Sequence, residues 1–145
     1  MKASPLVLDR IRNFEGMRLL AYVCPAGKLT IGYGHTGPDV SVGQVINAAK
    51  ANELFMADVK ECEEGLSAAV RVKLTQGQFD SLMSFVFNFG LGNLRASMLL
   101  KKLNSADYEG ARKEFARWNH IKKNGKMVES PGLTGRRRWE TENFV

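Results

Sequence analysis

The sequence predicts an α+β fold that is mostly helical, with one small β-hairpin near the N-terminus and a larger helical part around a central apolar helix. Three observations predict it. Apolar residues recur at helical spacing through most of the chain, as in Phe79, Leu82, Met83, Val86 and Phe87. Leu29, Ile31 and Tyr33 instead alternate with Thr30 and Gly32, the period of a strand. The chain has 145 residues, of which 44% are hydrophobic and 25% charged, the size and apolar content of one domain with one core. A single domain over residues 1–145 is expected, compatible with two lobes and free of repeats and linkers.

The elements follow in order. Ser4-Pro5 reads as an N-cap followed by proline in the first helical turn, and Val7, Ile11 and Phe14 fall on one face. Gly16 can take the left-handed conformation that ends this helix and leaves Glu15 at its C-terminal edge. Pro25-Ala26-Gly27-Lys28 supplies the turn of a hairpin from Ala21 to Tyr33, with a Gly-rich exit over Gly32–Pro38. Ser41-Val42-Gly43-Gln44 fits a capping box, so a long helix is expected from there to about Glu64. Its apolar stripe is read as Val45, Ala49, Met56 and Val59, continuing to Leu66. Thr75-Gln76-Gly77-Gln78 is a second capping box and opens the apolar helix expected at the centre, stopped near Gly90-Leu91-Gly92. Shorter helices are expected over Leu94–Leu103 and Ala106–Trp118. A polar, basic loop over His120–Pro131 and a last helix beginning near Leu133 complete the chain.

Composition excludes several classes. A disordered tail, a collagen-like repeat and a low-complexity scaffold do not fit these fractions. No apolar run approaches the roughly 18–20 residues that span a bilayer, and the first ten residues lack the apolar stretch of a secretory signal. Lys and Arg outnumber Asp and Glu by 21 to 15, a net charge of +6, which favours anionic partners without choosing among them. The excess is partly local, with eight basic and two acidic side chains between Lys113 and Arg138. Two cysteines, Cys24 and Cys62, are too few for a disulfide scaffold, although one bridge between them is open.

Three residues stand out once the hairpin is placed. Glu15 ends the first helix, Cys24 ends the first strand and Thr30 lies on the second. The tight turn brings Cys24 and Thr30 near each other across the hairpin, and the short link from Glu15 keeps its carboxyl within reach. Phe14-Glu15-Gly16-Met17-Arg18-Leu19, Ala21-Tyr22 and Thr30-Ile31-Gly32-Tyr33-Gly34-His35-Thr36 together resemble the signature of phage-type lysozymes, glycoside hydrolase family 24. Further similarity covers Gln78–Leu82, Phe87–Gly90, Phe115–Trp118 and Gly132–Arg137, in order along nearly the whole chain.

The resemblance implies a muramidase that cuts peptidoglycan between N-acetylmuramic acid and N-acetylglucosamine. It also implies a small hairpin lobe, a helical lobe and a cleft between them. Members usually carry Glu, Asp and Thr where this chain has Glu15, Cys24 and Thr30. Glu15 then corresponds to the proton donor, a role that needs a raised carboxyl pKa. The negative end of a helix dipole pushes in that direction. Arg136, matched to the first arginine of the family's Gly-Leu-x-x-Arg-Arg run, would offset this by pairing with Glu15, and the sequence leaves the balance open. A thiol of ordinary pKa is mostly neutral at pH 7, so Cys24 takes the second catalytic role only if its pKa is lowered. Thr30 is expected to position water.

Arg136 and His35 are the candidate substrate-binding residues. For His35 the plainer expectation is a hydrogen bond where the hairpin joins the long helix. Phe79, Phe85, Phe87 and Phe89 read as core, as does Trp118, with the lining of a cleft as its alternative. No cofactor or metal is expected. The resemblance implies peptidoglycan as the partner, no nucleic acid, a monomer, and residence in the host cytoplasm until a holin opens the membrane. Three other functions stay open at this point: a lytic transglycosylase on the same bond, a basic nucleic-acid-binding module, and an inactive glycan-binding relative.

Overall fold

The computed structural model describes residues 1–145. The chain divides into two compact units, one of residues 8–61 and one of residues 1–7 with 62–145. The division falls inside the first helix, α1 (Pro5–Glu15), and inside the long helix α2 (Ala48–Ala69). No helix is long and apolar enough to cross a membrane.

The ends of α1 are set as its sequence predicts. Ser4 Oγ accepts the Val7 N–H at 3.2 Å, and at the other end Gly16, with φ 69°, sends its N–H back to the Arg12 carbonyl at 2.8 Å. The helix therefore stops on Glu15.

Residues 8–61 contain a three-stranded antiparallel sheet in the order β1 (Arg18–Val23), β2 (Leu29–Gly32) and β3 (His35–Thr36). The Gly-rich exit is thus more than a loop. Tyr33 and Gly34 turn the chain, and β3 pairs Ile31 with His35 and Thr30 with Thr36.

The Ser41–Gln44 capping box does not start a helix. Half of the box forms, with the Ser41 N–H on Gln44 Oε1 at 2.8 Å, but the Gln44 N–H goes to the Ser41 carbonyl at 3.1 Å and Gly43 turns left-handed at φ 80°. The following segment pairs with β1 instead. Ala21 donates to the Gln44 carbonyl and Ile46 donates to the Leu19 carbonyl, each at 2.9 Å. The open edge of β1 has backbone groups to satisfy, and that demand outweighs the local helix signal. Helix α2 begins at Ala48, with Asn47 Oδ1 capping the Lys50 N–H at 2.8 Å. Two positions of its expected apolar stripe, Val59 and Leu66, hold, and the N-terminal part of the stripe is shifted. Ala51, Phe55, Val59 and Leu66 are buried, whereas Val45 is 71% exposed and Ala49 and Met56 face solvent. Phe55 decides the phase: its ring meets Tyr33 edge-on at 5.4 Å and lies under the Arg12 guanidinium at 4.6 Å.

The other unit is organised by α3 (Gln76–Ala96), which packs against α4 (Met98–Asn104) and α6 (Pro131–Asn143). Thr75 and Gln78 complete the capping box at its start. Every residue from Phe79 to Val86 is buried, as expected for the central helix. Gly90, at φ 86° and ψ 160°, breaks the helix where expected, and the chain then resumes helical geometry to Ala96. Helix α5 (Tyr108–Glu114) runs into a 3₁₀ turn, Phe115–Arg117. The rings of Phe85, Phe89, Phe115 and Trp118 meet at 5.2–5.9 Å, so they form core contacts.

The basic loop expected over His120–Pro131 is a hairpin. Strand β4 (His120–Lys123) pairs with β5 (Lys126–Glu129), from His120 opposite Glu129 to Lys123 opposite Lys126. The two-residue connection is Asn124-Gly125, both left-handed at φ 52° and 78°. Asn-Gly is the preferred pair for such a turn.

Candidate active site

Glu15 sits at the last position of α1, where the chain must leave the helix through Gly16. Its carboxylate lies against the turn between β2 and β3. A Cβ added at Gly34 would fall 2.5 Å from Glu15 Oε1, and Gly34 also has φ 70°. Only glycine meets both demands. The turn therefore forms a wall of bare backbone beside the carboxylate.

Cys24 and Thr30 meet across the first hairpin. Tyr22 and Thr30 are register partners, and Cys24 lies two residues past Tyr22, on the same side of the sheet. The turn after β1 closes with the Cys24 N–H on the Lys28 carbonyl at 2.9 Å and the Gly27 N–H on the Cys24 carbonyl at 2.8 Å. Burial pushes the Cys24 thiol up, but hydrogen bonds from the Lys28 and Ala26 backbone and the Thr30 side chain outweigh it. The net effect holds the thiol below its ordinary pKa. Thr30 is 2% exposed and donates to the Lys28 carbonyl at 2.9 Å. Its single hydroxyl proton has two alternative acceptors, that carbonyl and a Cys24 thiolate, while its lone pairs accept from the protonated thiol or from water. Both thiols of the chain are free.

Tyr22 belongs to the same cluster. Burial raises its phenol pKa, the Arg18 guanidinium opposes this from 4.7 Å over the ring, and the negative charges of Cys24 and Glu15 raise it further. One phenol thus lies within the electrostatic reach of both candidate catalytic groups.

His35 and Arg136 have partners of their own. The His35 side chain is 12% exposed, with Nδ1 2.8 Å from Asp58 Oδ2 and Nε2 2.9 Å from Asp39 Oδ2. This is the expected bond between hairpin and long helix, with a second carboxylate added. Burial pushes the imidazole pKa down, but the two carboxylates outweigh it and hold it above the ordinary value. Both ring nitrogens are engaged, which leaves the imidazole little to offer a sugar. Arg136 is 4% exposed; its Nε donates to Ser84 Oγ at 3.2 Å and its Nη2 to the Ser84 carbonyl at 2.9 Å. Nearby Glu140 is fully buried and takes bonds from Ser84 at 2.6 Å and from Arg137 at 2.8 Å. Burial pushes the Glu140 carboxyl up, against the pull of Arg137 and Arg136. No cluster of three or more His, Cys, Asp or Glu has metal-holding geometry.

The model of the family described as phage lysozyme matches residues 12–140. The chain belongs to the phage lysozyme family. It is 43% identical over 144 residues to the endolysin of Acyrthosiphon pisum secondary endosymbiont phage 1, covering 99% of this chain and 98% of the relative. Among solved structures it resembles the endolysin from Escherichia coli O157:H7 phage FAHEc1, with a TM-score of 0.88 and 36% identity over 100% of this chain and 94% of that one. It also resembles the muramidase domain of SpmX from Asticaccaulis excentricus, with a TM-score of 0.89 and 33% identity over 99% of this chain and 97% of that one.

Within this phage lysozyme, sequence reasoning passed over several residues that shape the candidate site. Gly34 was visible only as part of a Gly-rich run; its approach to Glu15 depends on β3, which that reading lacked. Tyr22 lies two residues before Cys24, next to the end of β1, so the hairpin register alone is enough to place it. Asp39 and Asp58 gave no such signal. Position 58 lies beside the buried Val59 on α2 and carries no local mark of a partner, and Asp39 is an ordinary loop aspartate until β3 forms.

Proposed function

We propose that this phage lysozyme hydrolyses the β-1,4 bond between N-acetylmuramic acid and N-acetylglucosamine in peptidoglycan. Glu15 is the proton donor, Cys24 the second catalytic group and Thr30 the residue that positions water. The observation that carries this reading is the pairing of a glycine-backed carboxylate with a hairpin thiol whose pKa is lowered by backbone amides and Thr30. That lowering is in the direction the role requires, since a thiolate accepts a proton and a thiol does not.

In this mechanism the Glu15 proton passes to the glycosidic oxygen as the bond to the anomeric carbon breaks, through an oxocarbenium-like transition state. A water accepted by the Thr30 hydroxyl gives its proton to the Cys24 thiolate, and its oxygen bonds to the anomeric carbon. The thiol and the Glu15 carboxylate then re-equilibrate with solvent, which restores both groups. The two units act together as one lysozyme domain, working as a monomer without nucleic acid. Its setting is that of an endolysin, held in the host cytoplasm until a holin admits it to the wall. The net charge of +6 suits an anionic wall.

Mass spectrometry of fragments released from purified peptidoglycan tests the reading. Reducing N-acetylmuramic acid ends are expected. Ends of the 1,6-anhydro type would show a lytic transglycosylase instead, and an absence of fragments would leave a binding protein.

A further inference from the structure

The best-defined charged cluster outside the proposed triad is the one around His35. Its imidazole lies between two carboxylates from different parts of the chain, Asp58 on α2 and Asp39 in the loop after β3. Neither carboxylate stands alone: Glu61 adds negative charge around Asp58, and Lys50 adds positive charge around Asp39. Sequence position ties this cluster to the reaction. His35 directly follows Gly34, where an added Cβ would fall 2.5 Å from Glu15 Oε1, and directly precedes Thr36, the register partner of Thr30.

We propose that His35 is a positioning residue: gripped by Asp58 and Asp39, it fixes the Tyr33–Gly34 turn against the Glu15 carboxylate and holds β3 in register with Thr30. The inference rests on reading Glu15 and Thr30 as the catalytic pair flanking Cys24. An imidazolium has two N–H donors and satisfies both carboxylates; a neutral imidazole has one and releases one of them. The grip is therefore closed below the His35 pKa and slackens above it. Because the turn is short and Gly34 leaves no room for even a Cβ beside Glu15 Oε1, slack at His35 reaches the carboxylate without an intervening side chain. Small displacements of a reacting group carry large penalties in rate, so kcat falls while binding of the glycan is untouched.

The test follows the Glu15 side-chain carboxyl and the His35 ring by NMR as a function of pH, with kcat and KM on soluble glycan strands measured in parallel. Glu15→Gln identifies the carboxyl signal. In the wild type the Glu15 signal is expected to show a step at the His35 midpoint. Asp39→Asn, a change at an exposed carboxylate, is expected to move both the step and the alkaline fall of kcat to lower pH together. His35→Gln is expected to lose the step and to lower kcat on the order of tenfold with KM unchanged. A Glu15 signal that ignores the His35 titration in the wild type overturns the proposal, and so does one that keeps its midpoint in Asp39→Asn. A rise in KM alone in His35→Gln also overturns it, because it would make His35 a glycan contact. If His35→Gln does not fold, Asp39→Asn still decides. If the wild type released no fragments, the functional reading would fall, while the NMR coupling would still decide the role of His35.

Discussion

The role proposed for Cys24 asks a thiol to act as a base, and the turn around Cys24 shifts its chemistry in that direction. Backbone N–H groups and the Thr30 hydroxyl favour the thiolate more than burial opposes it. Alkylation by iodoacetamide, followed in a Cys62→Ser background, is expected to show a midpoint below that of a free cysteine, about 8.5. Thr30→Val removes a hydrogen bond to the charged form, so the midpoint is expected to move up; an unchanged midpoint would separate Thr30 from the thiol. Gly34 is the second residue with a sharp requirement. Gly34→Ala places a Cβ 2.5 Å from Glu15 Oε1 at φ 70°. Stability is expected to drop by about 1–3 kcal/mol in urea titrations, and fragment release should fall more steeply than stability because the acid itself is displaced.

At the scale of elements, buried charge sets how firmly α6 is tied to α3. Arg136 and Glu140 on α6 meet Ser84 on α3, and buried Arg137 pairs with Glu140 and lies over the rings of Phe85 and Phe89 at 5.1 Å and 4.9 Å. Glu140→Ala takes away the carboxylate that both guanidiniums pair with and is expected to cost roughly 3–5 kcal/mol by chemical denaturation. A loss below about 1 kcal/mol, the range of exposed pairs, would mean that the arginines draw little from it.

The elements also show what the sequence made legible. Caps at Ser4 and Thr75, the left-handed Gly16 and the break at Gly90 were all readable because each is a local event. The Ser41 box misleads because the Gln44 side chain does bond the Ser41 N–H, but in a turn whose continuation is claimed by the edge of β1. The phase of α2 depends on what Phe55 packs against, which no local window contains. The β4–β5 hairpin is the opposite case: Asn124-Gly125 between two extended runs was a sufficient signal, hidden by the charge of the lysines around it.

The order of elements and the fold class come from periodicity, while the candidate chemistry depends on residues far apart in the pattern that only the register brings together. The family accounts for which glycan is cut, a choice that helix periods and charge counts do not encode. The whole account rests on Glu15 and Cys24 as a reacting pair, so the most direct measurement is the rate of fragment release from purified peptidoglycan by wild type, Glu15→Gln, Cys24→Ala and Cys24→Asp. Both Glu15→Gln and Cys24→Ala are expected to lose at least about 100-fold, the scale of a lost acid or base. Cys24→Asp, which puts a carboxylate in place of the thiol as a base, is expected to keep most of the activity. A Cys24→Ala enzyme as fast as the wild type would contradict the account, and so would an active Glu15→Gln.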